Sequence, residues 1–207
     1  MSNLRPTILD FRNKNTDSLN NIWPLYRNTV PHFAFAKNVF SQEQCKSIIN
    51  IGKNSLPYSD EPSRTICSEI RGSTVSWIRP VEGNEWIFQI LSNAILVLNK
   101  EYFQFDLFGF AHAVQFTEYQ SPGGKYDAHV DTLYEADIRK LSISVQLSDE
   151  NDYEGGDFIC NYGQEEIMPR TQGTAIAFPS YALHGVKPVT KGTRYSLVAW
   201  ITGPQFK

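Results

Sequence analysis

The sequence lacks the features that mark several large protein classes. It has three cysteines in 207 residues (Cys45, Cys67 and Cys160), widely spaced and in no Cys-x-x-Cys arrangement. That argues against a disulfide framework or a thiolate zinc site and fits free thiols in a reducing compartment. It has no long hydrophobic run: the tract from Ile87 to Leu98 is broken by Gln89, Ser92 and Asn93, and nothing approaches the roughly 20 apolar residues of a membrane span. The opening "MSNLRPTILDFRNKN" has no apolar signal-peptide core, so a cytoplasmic protein with no membrane partner is expected. Positive charge is not in excess. Nineteen Lys and Arg face 22 Asp and Glu, for a net charge of −3, and no nucleic-acid partner is expected without a global basic field. Repeats and low-complexity stretches are absent. Histidines number only four, at 32, 112, 129 and 184, so each can be weighed separately.

What is present reads as one soluble domain. Hydrophobic residues make up 41% and charged residues 20%, ordinary for a globular chain. Aromatics reach 13%, which favours strands. Residues 1–30 are polar and Asn-rich and read as an N-terminal arm. Residues 31–104 read as a helical support with one sheet-extending strand, "TVSWI". Ser41 with Gln44 three residues on forms a capping-box signature for a helix over "QEQCKSIINIGKN". A second helix is predicted from about Glu82 to Tyr102, with Ile87, Leu91, Ala94 or Ile95, and Leu98 at helical spacing. Residues 105–207 change texture: about eight short alternating segments are separated by turn signals such as Pro-Gly-Gly, Gly-Gly and Lys-Gly. The predicted class is mainly β with supporting helices, a double-stranded β-helix or jelly roll.

The chemistry concentrates in this second half. In "YDAHVD", His129 and Asp131 are two apart, so on a strand they share a face. Alone, the pair is either surface decoration or two metal ligands. His32 has no metal-like neighbour in sequence, and His112, in "GFAHAVQF", reads as a core or strand-edge histidine. His184 begins a strand after the turn at Pro179, and ten residues later Arg194 stands in an otherwise apolar strand. A buried Arg needs an anionic partner and is suited to grip a carboxylate. Ser196 shares its face. On "LSISVQLS", Leu141, Ile143, Val145 and Leu147 form one face and Ser142, Ser144 and Gln146 the other, while Gln115, Thr117 and Tyr119 alternate in the same way. These polar faces either line a wet pocket or meet solvent.

Together these residues resemble the iron(II)- and 2-oxoglutarate-dependent dioxygenases, with their His-x-Asp, distal His, and Arg about ten residues later. "IRGSTVSWI", "VQFTEYQSPGGKYDAHVD", "LSDENDYEGGDF" and "AFPSYALHGVKPVTKGTRYSLVAW" resemble the prolyl 4-hydroxylase branch and its PKHD-type bacterial members, over roughly residues 70–202. The resemblance implies iron(II) on His129, Asp131 and His184. It implies 2-oxoglutarate held by Arg194, with Tyr119, Ser196 and Gln146 around it, dioxygen as the other cosubstrate, and ascorbate as a possible reductant. It further implies substrate contacts at Arg139, Trp200 and Tyr126, and a lid carrying Asp60, Glu61, Arg64 and Arg71. Asp157, in the Gly-Gly-acid turn, is expected to be structural. The carboxylate at Asp131 argues for hydroxylation, since related halogenases lack it. One departure is Ser73, where the animal enzymes have an acid after "IRG", so a salt bridge from there to Arg139 is not available. The implied activity is hydroxylation of an aliphatic C–H with release of succinate and carbon dioxide, on a proline-containing peptide or protein. The alternatives are a free amino acid or small metabolite as substrate, or a non-enzymatic jelly-roll binding module. The oligomeric state is left open.

Overall fold

The computed structural model describes residues 30–55, 64–67, 69–131 and 138–205. Most of the expected arm, and Asp60 and Glu61 of the expected lid, lie outside them, and of Arg64 only the backbone is described. Two helices brace one face of the fold. Helix α1 spans Gln42–Asn54 and carries the anticipated capping box: the Ser41 hydroxyl accepts from the Gln44 N–H, and the Gln44 side chain accepts from the Ser41 N–H. Each bond satisfies a donor that the first helical turn leaves unpaired. Cys45, Ile48 and Gly52 face inward. Helix α2 spans Glu85–Leu98 and buries Ile87, Leu91, Ile95 and Leu98, the stripe that the spacing predicts. It starts three residues later than Glu82, because Val81 to Asn84 form a turn with Gly83 at φ +92°. Its end relaxes into a π-helical turn, Asn99–Phe103, closed by Gln104 at φ +55°.

Among the described residues, thirteen strands form a single curled antiparallel sheet. They are β1 (Ala34–Ala36), β2 (Arg64–Cys67), β3 (Arg71–Ile78), β4 (Gly109–Phe110), β5 (Val114–Gln120), β6 (Lys125–His129), β7 (Arg139–Gln146), β8 (Tyr153–Gly155), β9 (Phe158–Asn161), β10 (Glu165–Ile167), β11 (Ala175–Pro179), β12 (Leu183–Val186) and β13 (Val189–Thr202). The path runs β1-β11-β7-β13-β5-β3-β6-β12-β9-β10, with β2 on β3 and with β4 and β8 on β13. Strand β3 joins the two halves. Its residues 74–78 pair with β5, and its first two, Arg71 and Gly72, pair with β6. The smaller run β6-β12-β9 thereby folds over the larger one, giving the jelly-roll arrangement.

The faces separate by alternation. Leu141, Ile143, Val145, Leu197, Ala199 and Ile201 point outward into one apolar core with α1 and α2. Gln115, Thr117, Ser142, Ser144, Gln146, Arg194 and Ser196 point inward and are all buried, which decides that the polar faces do not meet solvent. Two expectations change here. Lys191-Gly192, expected as a turn, lies inside the 14-residue β13: Gly192 sits at φ +71°, next to a bulge between Val189 and Lys191 where the register with β8 shifts. Arg71, expected on a lid, opens β3 and pairs with Tyr126, because backbone pairing with β6 holds it in the sheet. No helix among the described residues is long and apolar enough to cross a membrane.

Candidate metal centre and carboxylate pocket

His129 ends β6, Asp131 follows it, and His184 lies on β12, directly paired with His129 across the two strands. The ligand-capable atoms of the three residues all lie within 4.8 Å of one another. His129 Nε2 is 3.7 Å from Asp131 Oδ1, and His184 Nε2 is 3.4 Å from Asp131 Oδ2. Atoms each bound about 2.1 Å from one transition-metal ion sit roughly 3–4 Å apart, so the cluster fits a single ion. Two imidazoles and one carboxylate form the donor set preferred by non-haem iron(II) with open positions.

The backbone sets the tautomers. His129 Nδ1 lies 2.8 Å from the Asp127 carbonyl, and His184 Nδ1 lies 2.9 Å from the Ala182 carbonyl. A carbonyl only accepts, so each Nδ1 carries the proton and each Nε2 presents its lone pair toward the cluster. Burial, then the neighbouring His184, holds the His129 pKa down to about 4, so the ring is neutral and able to ligate at ordinary pH. The Ser142 hydroxyl donates to Asp131 Oδ2 at 2.8 Å and lies 2.9 Å from the Ser180 hydroxyl. Asp131 N–H donates to the Ser180 carbonyl at 2.9 Å. Phe178 and Phe158 wall the His184 ring at 4.5 and 6.0 Å. Sequence alternation places Ser142 on the polar face of its strand, and its burial puts that face inside. The phenylalanines and Ser180 carry no signal of this role in sequence, because their contacts cross between strands far apart in the chain.

The cavity that contains these ligands is also lined by Tyr119, Ser196 and Arg194. Arg194 is 1% exposed. Its Nη2 donates to Gln146 Oε1 at 2.8 Å, while buried Nε and Nη1 have no hydrogen-bond partner among the described residues. A buried guanidinium with N–H groups unmet is costly unless an anion completes it. Gln146 does not line the cavity. It braces Arg194 from behind and donates to the Pro169 carbonyl. Gly156, at φ +64°, lets the backbone pass close to the Arg194 stem: a Cβ there would sit 3.3 Å from Arg194 Cδ. Burial pushes the Tyr119 phenol pKa up, keeping the hydroxyl protonated and able to donate. Asp157 pairs with Arg170 at 2.5 Å, away from the metal ligands.

At the rim, Trp200 lines the cavity with its buried Nε1 unpartnered among the described residues. Arg139 lies over the Trp200 ring at 4.3 Å, donates to the Asp131 carbonyl at 3.3 Å and reaches His112 Nε2 at 3.1 Å. His112 is thus tied to Arg139 and lies outside the metal cluster. Ser73, in place of an acid, accepts from Arg71 Nε at 2.8 Å. Tyr126 stacks on His129. His32 stacks on Tyr162.

Comparison with known proteins agrees with this geometry. Residues 114–202 match the family model of the 2OG-Fe(II) oxygenase superfamily. A PKHD-type hydroxylase of Picosynechococcus sp. is 38% identical over 92 residues, which are 44% of this chain and 42% of that protein. A PKHD-type hydroxylase of Prochlorococcus marinus is 40% identical over 92 residues, 44% of this chain and 41% of its own length. The matched part is therefore about two fifths of each relative. Among solved structures, a Pseudomonas putida prolyl-4-hydroxylase superposes with a TM-score of 0.64 at 20% identity, covering 84% of this chain and 94% of that one. A viral collagen prolyl hydroxylase from Paramecium Bursaria Chlorella virus-1, in complex with 2OG, gives 0.64 at 21%, covering 84% and 97%. These structures share the fold.

Proposed function

We propose that this chain, whose residues 114–202 fall in the 2OG-Fe(II) oxygenase superfamily, is an iron(II)- and 2-oxoglutarate-dependent hydroxylase of an aliphatic C–H, acting on a prolyl residue in a peptide or protein. The observation that carries the reading is one cavity with two features: three converging metal donors, and a buried Arg194 with unmet N–H groups. Neither feature alone would specify the chemistry. Together they accommodate a dication and a dicarboxylate side by side.

Bound iron and 2-oxoglutarate would supply the oxidising power for C–H hydroxylation with dioxygen, the keto acid leaving as succinate and carbon dioxide. The chain's own residues do the rest. His129 and His184 present neutral Nε2 atoms because backbone carbonyls hold their Nδ1 protons. Asp131 contributes one negative charge, and Ser142 fixes its rotamer. Arg194, braced by Gln146, takes the far carboxylate of the keto acid, and Ser196 and the Tyr119 phenol flank it. This anchoring presets the orientation of the keto acid before reaction. Phe158, Phe178 and Val186 keep the wall apolar, which strengthens each charge–charge contact inside. Trp200, whose buried N–H has no partner among the described residues, lines the cavity with Tyr126 and would donate to a substrate carbonyl there, and Arg139 lies over the Trp200 ring. The prolyl assignment draws support from the likeness to prolyl hydroxylases, one of them solved with a hypoxia inducible factor peptide fragment. Ascorbate would serve as the external reductant.

The test begins without oxygen. Protein mixed with iron(II) and 2-oxoglutarate should develop the weak visible charge-transfer band of a chelated keto acid. His129→Ala should abolish it and Arg194→Met should weaken it. Succinate release is then measured against proline-containing peptides and free amino acids. Turnover confined to free amino acids would move the substrate to a small metabolite. A folded protein that gives no band would favour a non-enzymatic binding module.

A further inference from the structure

The two imidazoles of the cluster are supported differently. The His184 side chain is 7% exposed and rests against the core phenylalanines Phe178 and Phe158. The His129 side chain is 19% exposed and stands at the end of a five-residue strand. Its ring is stacked on Tyr126, with centroids 3.6 Å apart and planes inclined by 21°. The Tyr126 ring is covered in turn by the Arg71 guanidinium, 4.4 Å from its centroid. Arg71 is aimed there by its Nε bond to Ser73, two residues along the same strand face, and by direct pairing with Tyr126 across β3 and β6.

Strict alternation would place Tyr126 and His129, three residues apart, on opposite faces of β6. The register with β12 explains why they meet: His184 pairs with His129 and Val186 pairs with Tyr126, so two steps on β12 oppose three on β6. This is a β-bulge, which re-aims side chains. Gly185 lies opposite it, and a Cβ there would come within 2.8 Å of the Tyr126 carbonyl.

We infer that Tyr126, clamped by Arg71, is a positioning residue for the metal ligand His129, and that neither residue serves chiefly as a substrate contact or lid element. The inference rests on the metal-site reading above. The Nδ1 bond to Asp127 fixes the tautomer of His129, but a single hydrogen bond leaves the imidazole free to pivot about it. A ring stacked on its face removes that freedom and keeps Nε2 aimed at the position shared with Asp131 and His184. Arg71 covers the other face of the tyrosine, so the tyrosine cannot swing away. The phenol hydroxyl has no part in this: the ring does the positioning.

Cobalt(II) is the probe, added without oxygen or 2-oxoglutarate, with affinity read by chelator competition and site geometry by the cobalt visible spectrum. Tyr126→Phe, which keeps the ring, should stay within about twofold of wild type. Tyr126→Leu should lose about tenfold or more in affinity, the range seen for residues that orient metal ligands, and its spectrum should change. Arg71→Gln should fall between them, and it decides the matter if Tyr126→Leu does not fold. The inference is overturned if folded Tyr126→Leu matches wild type, if Tyr126→Phe is as weak as Tyr126→Leu, or if Arg71→Gln leaves both affinity and spectrum unchanged. A wild-type protein that binds cobalt but gives no band with iron(II) and 2-oxoglutarate would sink the hydroxylase reading alone, while the affinity series still decides the stack. A wild-type protein that binds no metal would sink both.

Discussion

Replacing Arg194 with Met separates the stability of the chain from its capacity for a dicarboxylate. Met fills much of the arginine stem's volume and carries no charge. In the ligand-free protein the guanidinium is 1% exposed, with one side-chain hydrogen bond and two nitrogens unmet among the described residues. Exchanging buried ionic groups for apolar ones of similar volume is often neutral or stabilising, by about 1–4 kcal/mol. Against this, Gln146 Oε1 loses its donor, at about 1–3 kcal/mol. The two terms nearly cancel, so the ligand-free variant should unfold within about 2 kcal/mol of wild type. Binding of 2-oxoglutarate behaves differently. Two charge-assisted hydrogen bonds at about 1.5–3 kcal/mol each are lost, so affinity should drop by at least about 3 kcal/mol, roughly 100-fold. At a keto-acid concentration about 100 times the wild-type Kd, ligand stabilisation is about 2.7 kcal/mol for wild type and about 0.4 kcal/mol for the variant. Urea melts with metal present, with and without 2-oxoglutarate, measure both numbers. A ligand-free variant destabilised by more than about 4 kcal/mol would show that Arg194 is already satisfied within the fold. A variant stabilised by the keto acid as strongly as wild type would show that the carboxylate binds elsewhere. Either result refutes the argument.

Three further outcomes follow from the same geometry. Ser142→Ala removes the hydroxyl on Asp131 Oδ2. Metal affinity by chelator competition should fall about tenfold, with a stability loss of about 1 kcal/mol. Gly185→Ala places a methyl within 2.8 Å of the Tyr126 carbonyl. The strands that pair His184 with His129 must then part, costing about 1–3 kcal/mol in a urea melt and weakening metal binding more than Ser142→Ala does. In metal-free protein, His129 has a folded-state pKa of about 4 against the ordinary 6.5, chiefly through burial. Between those values the unfolded chain holds the extra proton, so this group makes stability fall as pH falls from about 6.5 to 4, by at most about 3 kcal/mol. Melts of His129→Ala with chelator present should show a shallower loss across that window, and an unchanged slope would contradict the assignment.

Local rules made much of the molecule readable in advance. The capping box at Ser41 and Gln44 and the stripe Ile87, Leu91, Ile95 and Leu98 obey spacing laws that act within a few residues. The alternation on β5, β7 and β13 likewise sorts residues into a polar and an apolar face without knowledge of strand neighbours. The boundaries of α2 were less legible, because a glycine turn and a π-helical end compete with the periodic pattern. The kinked stretch around the Val189–Lys191 bulge and Gly192 reads as a turn because glycine at positive φ serves turns and bulged strands alike.

The sequence by itself determined the donor types, the shared face of His129 and Asp131, and the lone arginine of the last strand, since each follows from side-chain chemistry and a two-residue period. Tertiary structure decided which donors meet. The pairing of His184 with His129 is 55 residues long in sequence. The bonds Ser142–Asp131 and Gln146–Arg194, and the stack Arg71–Tyr126–His129, likewise join different strands. Register and bulges belong to pairs of strands, and no single strand encodes them. Only when β3 closes the smaller run over the larger does a polar face become the inside of a pocket.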